Sequence, residues 1–181
     1  VNAVLLRPLK YPDPQELVLV SDMQPSSTET PADYAEYLDW RDQTQIFQHL
    51  AAHFNTTLTL TGHGDPQQLW GARMSANALP ALGVNPILGR GFRQEDEVRS
   101  SERVALISYG FWQRQFAGDP KIVGQSITLD TFPFTVIGVL PHTFRALNPI
   151  DIQIGQERDV WIPLRLNAEI APRGLHFLTV F

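Results

Sequence analysis

The chain has 181 residues, of which 43% are hydrophobic and 18% are charged, a composition typical of one globular domain with an apolar core. Its net charge of -5 gives it no electrostatic reason to hold a nucleic-acid backbone, so we expect no nucleic-acid partner. The absence of cysteine excludes disulfides, zinc thiolates and cysteine nucleophiles, but it does not locate the protein.

Both ends of the sequence are expected to be cuts through a longer protein. The chain opens on Val1 without a methionine, continues into the basic, proline-bearing stretch RPLKYPDP, and closes on the apolar run HFLTVF. The first six residues fit the last turn of a membrane helix about as well as a frayed terminus. No apolar run approaches the roughly 20 residues that a membrane-spanning helix needs.

Apolar periodicity and turn residues predict the elements of the first half of the chain. The segment 16–22 predicts a buried strand. The segment 30–43 predicts a helix, with Thr30 as N-cap and Pro31 at the first helical position. The next predicted elements are a segment that begins helix-like and becomes a strand (47–62), a turn (62–66), its return strand (66–76) and a short helix capped by Asn77 (77–83).

The second half predicts strands that alternate with one further helix. A charged, exposed loop is predicted over 93–103. The predicted elements after it are a strand (103–108), a helix (109–118), a hairpin (125–130 and 133–140), a long loop (141–158) and two strands (159–164 and 176–181). Helices and strands mix without strict alternation, which favours an α+β fold with largely antiparallel sheets.

The stretch ISYGFWQRQF, residues 107–116, resembles the place where a hydrolase presents its nucleophile. A nucleophile elbow has glycines two positions before and after the serine, and here the upstream position is Leu106. Ser108 is better suited to cap the following helix by accepting an orphan backbone N–H. We therefore predict a cap at Ser108 and keep a serine hydrolase as the less favoured alternative.

No metal or cofactor site is predicted. His49 and His53 have the spacing of a zinc helix, but Leu50 stands where the metalloprotease motif has its acid. The acidic run 95–97 (Glu95, Asp96 and Glu97) lacks the spacing of a calcium loop and predicts a solvated surface. Lysine and arginine do not cluster along the sequence, and the glycine-rich GHGDP and GRG are not in phosphate-loop order.

Several long segments, in order, resemble the extracytoplasmic core domain of MacB-like ABC transporter permeases, especially the branch with a duplicated permease unit. The segments that carry this resemblance are VNAVLLRPLKYPDPQELV, DYAEYLDWRDQTQIFQHLAA, LTLTGHGDPQQLWGARMSANALPALGVNPILGRGF, VALISYGFWQRQFAGDPKIVGQSITLDTFPFTVIGVLPHTF and DVWIPL. The chain departs from the family pattern at Pro80, where a bulky residue is usual, and in LDTFPF, which lacks a common turn glycine.

The resemblance implies two mixed α/β lobes, a porter-like lobe and a smaller lobe inserted into it. The implied division is a membrane-proximal start (1–12), a porter-like lobe (13–50 with 160–181) and a mostly inserted lobe (51–159). It also implies no enzymatic site and a place on the periplasmic face of the inner membrane, within an integral membrane protein.

The function implied by the resemblance is the coupling of ATP-driven helix motion to export or to proteins outside the membrane. The implied partners are a cytoplasmic ABC ATPase, flanking membrane helices, a periplasmic adaptor or cargo, and a second copy in a transporter dimer. The remaining alternative is a soluble binding module for peptide or glycan that uses the 141–158 loop.

Overall fold

A computed structural model describes residues 11, 16–20, 22–23, 29–43, 47–144, 157–166, 171, 173–174 and 176–181. The helices are α1 (Tyr34–Gln43), α2 (Ala78–Ala81) and α3 (Tyr109–Phe116). The strands are β1 (Asp22–Met23), β2 (Glu29–Thr30), β3 (Ala52–Thr61), β4 (Gln67–Met74), β5 (Leu88–Gly89), β6 (Val104–Ile107), β7 (Ser126–Leu129), β8 (Phe132–Val139), β9 (Val160–Pro163) and β10 (Thr179–Val180). The prediction of an α+β fold is confirmed, and most strand pairs are antiparallel.

Six of the strands form a closed ring. β3 pairs with β4, and the ring continues through the parallel neighbour β9 and then β6 and β8. The β7–β8 hairpin closes it, because β7 also pairs with the end of β3 in the register Leu60↔Leu129. Closure removes the exposed edges that an open six-stranded sheet would present.

The inside of the ring is an apolar core to which every ring strand contributes. Its fully or nearly fully buried side chains alternate along the strands with outward-facing ones. These core residues are Leu58, Leu60, Leu69, Ala105, Ile107, Ile127, Leu129, Phe134, Val136, Val139, Val160 and Ile162. α3 closes one end of this barrel, where Phe111 and Trp112 pack into the same cluster.

Two further apolar clusters lie outside the barrel. One covers the outer face of β4, β6 and β9, where Trp161 packs with Leu79 of α2 and Phe92. The other joins α1 to β10 through Tyr37, Leu178 and Val180. Strand β3 reaches both the barrel core and the α1 cluster, since Ala52 belongs to the latter.

The start of α1 corrects the predicted cap. Asp33, not Thr30, caps the helix, because its Oδ1 accepts a hydrogen bond from the Glu36 N–H at 2.7 Å. The Glu36 carboxylate accepts the Asp33 N–H in return, which completes a capping box. Thr30 belongs instead to β2, and Ala32 pairs with Leu178, so the chain stays extended up to residue 32.

Two other predictions for the first half were wrong in detail. The segment 16–22 is not a continuous buried strand: Val18 and Leu19 are about half exposed, Val20 makes an isolated bridge to Val180, and Asp22 pairs with Thr30 in β1. Residues 47–51 are not helical, because Ala51 exchanges two backbone hydrogen bonds with Phe181. At residues 47–51, long-range pairing with the last residues of the chain prevails over local helix preference.

The β7–β8 turn uses non-glycine residues where glycine is usual. Asp130 and Thr131 both have positive φ, of 47° and 72°, as in a type I′ hairpin turn. Asp130 is held by β3, since its Oδ1 accepts the Thr59 N–H at 2.7 Å. That contact offsets the strain of the left-handed backbone and ties the turn to the ring.

The division into lobes at residues 51 and 159 stays a prediction.

Gly89 and Gly64 provide a matched pair for testing the packing of β5 on β8. Both have positive φ, but a methyl group at Gly89 would overlap the carbonyl oxygen of Ile137, whereas Gly64 faces open space. We expect Gly64→Ala to cost about 1 kcal/mol of unfolding free energy through backbone strain alone. Gly89→Ala should cost roughly 2 kcal/mol more through overpacking. Urea denaturation of both variants measures the difference, and equal losses would contradict it.

Candidate functional site

Ser108 lies between β6 and α3 and acts as the predicted cap. Its Oγ accepts a hydrogen bond from the Phe111 N–H at 3.0 Å, and its backbone carbonyl accepts the Trp112 N–H. Gln113 and Arg114 face solvent, as predicted, while Phe111 and Trp112 are buried. Arg114 donates to the Asp159 carboxylate at 2.7 Å.

A cleft of about 220 Å³ lies next to Ser108, where the long loop begins and ends. His142 is exposed in this cleft, with its ring against the edge of Tyr109 at 6.0 Å between centroids. Among the described residues, the only side-chain hydrogen bond of Ser108 is the one to Phe111, so this serine is not aligned with a base. Residues 145–156 of the predicted loop lie outside the described residues.

The two histidines with zinc-helix spacing do not lie on a helix. His49 is exposed in an irregular segment, and His53 is buried in β3 with its ring 5.9 Å from that of Phe181. The described part of the chain contains no group of three or more potential metal ligands. Because β3 begins between His49 and His53, their four-residue spacing does not place the two side chains on one face of a helix.

The acidic run 95–97 is only partly a solvated surface. Asp96 is buried: its Oδ2 accepts a hydrogen bond from the Arg90 guanidinium at 2.6 Å and from the Arg93 N–H at 2.8 Å. Burial alone would raise the pKa of Asp96, but these donors outweigh burial and hold the pKa below its usual value. Burial also raises the pKa of Glu97, whose carboxylate accepts the Ala76 N–H.

Arg165, just after β9, ties the acidic run to the barrel. It donates to the backbone carbonyl of Asp96 at 2.7 Å and to Ser101 Oγ at 2.8 Å, and it also contacts the Glu102 carbonyl. All of these acceptors are neutral groups. Arg165 therefore orders the loop without having its own charge neutralised.

Four arginines meet at the end of the barrel opposite α3. Arg103 directly precedes β6, whereas α3 directly follows that strand, so Arg103 and α3 lie at opposite ends of the barrel. The four line one cleft of about 380 Å³, which we call the arginine mouth. Its arginines are Arg73, Arg99, Arg103 and Arg165, and its apolar lining includes Phe54, Leu58, Leu129, Phe132, Phe134 and Ile162.

The positive charge of the arginine mouth is only partly compensated by nearby carboxylates. No described carboxylate forms an ion pair with any of its four arginines. Burial lowers the pKa of Arg73, and the nearby Asp130 only partly offsets this. Burial likewise lowers the pKa of Arg165, the repulsion of Arg103 and Arg73 lowers it further, and the attraction of Asp96 offsets part of this. The fold thus holds like charges together at a cost in free energy.

The arginine mouth brings together in space basic residues that do not cluster along the sequence. Arg73 lies on β4, whereas Arg165 follows β9, more than ninety residues later by number, so no local pattern joins them. One feature of the sequence could have indicated the site. Arg73 lies four residues after Leu69 on β4, so both side chains lie on the face of the strand that is directed to the barrel interior. A charged residue at a core-facing position of a strand is unusual unless it has a partner.

Comparison with known families identifies the chain. The model of the MacB-like periplasmic core domain matches residues 7–180. The chain belongs to this family. It is a MacB-like periplasmic core domain, and such domains are extracytoplasmic parts of ABC transporter permeases, which work with ATPases. A comparison with curated proteins found no match.

Solved structures show the same fold in other MacB-like domains. The extracellular domain of the noncanonic ABC-type transporter YknZ from Gram-positive bacteria matches with a TM-score of 0.60 and 14% identity, over 90% of this chain and 79% of that one. The periplasmic region of MacB from Actinobacillus actinomycetemcomitans matches with a TM-score of 0.54 and 15% identity, over 87% and 81% of the two chains. Within the described residues, no helix is long and apolar enough to cross a bilayer.

The cap at Ser108 predicts a structural role that can be separated from catalysis. Ser108→Ala should lower the unfolding free energy by about 1 kcal/mol, because the Phe111 N–H loses its acceptor. Chemical denaturation measures the loss, with the exposed Ser126→Ala on β7 as control. A fluorophosphonate probe tests the alternative: labelling of the chain that disappears in Ser108→Ala would establish a nucleophile.

The Asp96 contacts predict a pH-dependent stability. Since the pKa of Asp96 is lower in the folded chain, its contribution is present above the unfolded value of 3.8 and is lost as the pH falls through the folded value. We expect Asp96→Asn to cost about 2 kcal/mol at pH 7. The gap to the wild type should narrow as the pH falls through the lowered pKa of Asp96 in the folded chain, whereas the exposed control Glu95→Gln should show little loss at any pH. A gap that persists at low pH would contradict the assignment.

Proposed function

We propose that this domain transmits ATP-driven motion of a permease's membrane helices to substrates or partner proteins outside the membrane. The observation that carries the proposal is the match to the MacB-like periplasmic core domain over residues 7–180. The domain would be non-catalytic itself, and the free energy for movement would come from the cytoplasmic ATPase.

The pairing of early and late segments supports a mechanical role. The Val20 N–H donates to the Val180 carbonyl at 2.9 Å, and the Ala32 N–H donates to the Leu178 carbonyl at 3.0 Å. Segments before and after the barrel therefore lie side by side. Membrane helices attached before and after the domain would act on one site, the pair of segments around residues 20 and 180.

Strand β3 provides the path from that site into the barrel. Its first residues pair with β10 in the register Thr179↔His53, and its last residues pair with β7 in the register Leu60↔Leu129. A displacement of β10 would therefore act directly on a ten-residue strand that runs along the barrel wall. Dense packing of the core favours movement as a rigid unit.

The proposed partners follow from the same role. We propose a cytoplasmic ABC ATPase, flanking membrane helices of the permease, and an adaptor or cargo protein on the periplasmic side. A dimer of permeases would place two copies of this domain next to each other.

The proposal predicts that the domain moves relative to the membrane during the ATP cycle. Because the chain has no cysteine, Asp65→Cys in the exposed β3–β4 turn introduces one unique label site into it. In the full-length permease with its ATPase, electron spin resonance should show a changed distance from this label to one in a membrane helix when ATP is added. An ATPase variant that binds but does not hydrolyse ATP should hold a single distance.

Two results would contradict the proposal. One is a label distance that stays constant through the ATP cycle while the ATPase remains active. The other is measurable ATP turnover by the purified 181-residue chain, which would make it an enzyme and not a passive transmitter.

A further inference from the structure

The coupling role does not account for the arginine mouth. Transmission of force requires packed strands and a path between them, but it does not require like charges to be held together over an apolar floor. Four arginines face one aspartate in this cleft, within a chain whose net charge is -5. Such a local excess of positive charge indicates a site for an anion.

We propose that the arginine mouth binds a small amphiphilic organic anion, a carboxylate or phosphate monoester carried on an apolar body. This inference does not depend on the coupling role, since it concerns binding by the chain itself.

The guanidinium groups supply the anion-binding half of the site. The Arg73 side chain is half-buried in the cleft and forms no hydrogen bond or ion pair with a described residue, so its guanidinium donors are available. The one carboxylate of the cleft, Asp130, accepts the Thr59 N–H. The neighbouring Glu102 accepts a hydrogen bond from the Thr135 hydroxyl. Arginine forks match the oxygens of carboxylates and phosphates.

The barrel core supplies the apolar half. Leu58, Leu129 and Ile162 belong to the apolar interior of the ring and also line the cleft, so a ligand entering here would contact the end of the core. Phe132 stands at the rim with 49% of its surface exposed, and the Arg103 guanidinium lies 4.3 Å from the centre of its ring. An exposed aromatic ring beside a cation fits a ligand with a charged head and an apolar tail.

The dimensions and charge of the site favour a small ligand over a macromolecule. A volume of about 380 Å³ lies near the lower end of the range of small-molecule sites, about 300–1,000 Å³. An extended polyanion would leave this local positive region and meet a chain with a net charge of -5. A single acidic head group would remain within the reach of the four arginines.

The test is an NMR titration of the 181-residue chain with octanoate and octyl phosphate, which share a tail and differ in the anion. We expect saturable shifts at Arg73, Phe132 and Ile162 with at least one of them. The anion that binds more tightly would distinguish a carboxylate ligand from a phosphate ligand. Octanol, which lacks the charge, and acetate, which lacks the tail, should each bind at least tenfold more weakly.

Arginine variants separate this site from general charge attraction. Arg73→Gln and Arg103→Gln should each weaken binding roughly tenfold, as expected for the loss of a charge-assisted contact of about 1.4 kcal/mol. Arg41→Gln on the exposed face of α1 changes the net charge equally and should leave binding unchanged. Arg73→Gln should also raise the melting temperature, because it removes a partly buried charge and its repulsion with Arg165.

The results that would overturn the proposal are specific. They are the absence of saturable binding of both anions, equal binding of octanol, or equal weakening by Arg41→Gln and Arg73→Gln. The exposed Arg103 keeps the test decisive if Arg73→Gln reduces folding, since loss of binding in a folded Arg103→Gln chain would still support the site.

Discussion

The pairing of β3 with β7 is the constraint on which the rest of the structure depends. Only two register pairs, Leu60↔Leu129 and Thr61↔Thr128, join these strands, yet they convert an open sheet into a ring. The Asp130 side chain reinforces the junction by accepting the Thr59 N–H. Without this closure, the apolar faces of β7 and β8 would lie at a sheet edge, and the cleft at the end of the barrel would have no wall.

Closure also explains how a stable barrel can present an unfavourable group of charges. The apolar core inside the ring is complete without Arg73, and α3 seals the far end with Phe111 and Trp112. Stability therefore resides in one part of the barrel, and the arginine mouth occupies the other. This separation is typical of binding sites, where residues are retained for recognition at some cost in folding free energy.

Local signals in the sequence predicted the elements whose determinants lie within a few residues. Ser108 was assigned correctly because a cap acts on an N–H three residues away, and the β7–β8 hairpin because both of its strands are rich in β-branched residues and adjacent in sequence. Thr30 failed as a cap because pairing of Ala32 with Leu178 keeps the chain extended. The sequence analysis missed the arginine mouth for the same reason. Ring closure brings its four arginines together in space, and no short stretch of the sequence contains all of them.

The order in which ring partners appear along the chain has a consequence for folding kinetics. β4 pairs with β9 in the register Gly71↔Val160, so the last ring strand is synthesised long after the first hairpin. Until β9 inserts between β4 and β6, Val160 and Ile162 have no core to enter, and the edges of both neighbouring strands stay open. Non-local parallel pairing of this kind slows folding and prolongs the exposure of unpaired strand edges, which can associate with other chains. The domain would therefore remain vulnerable to association until β9 has left the ribosome.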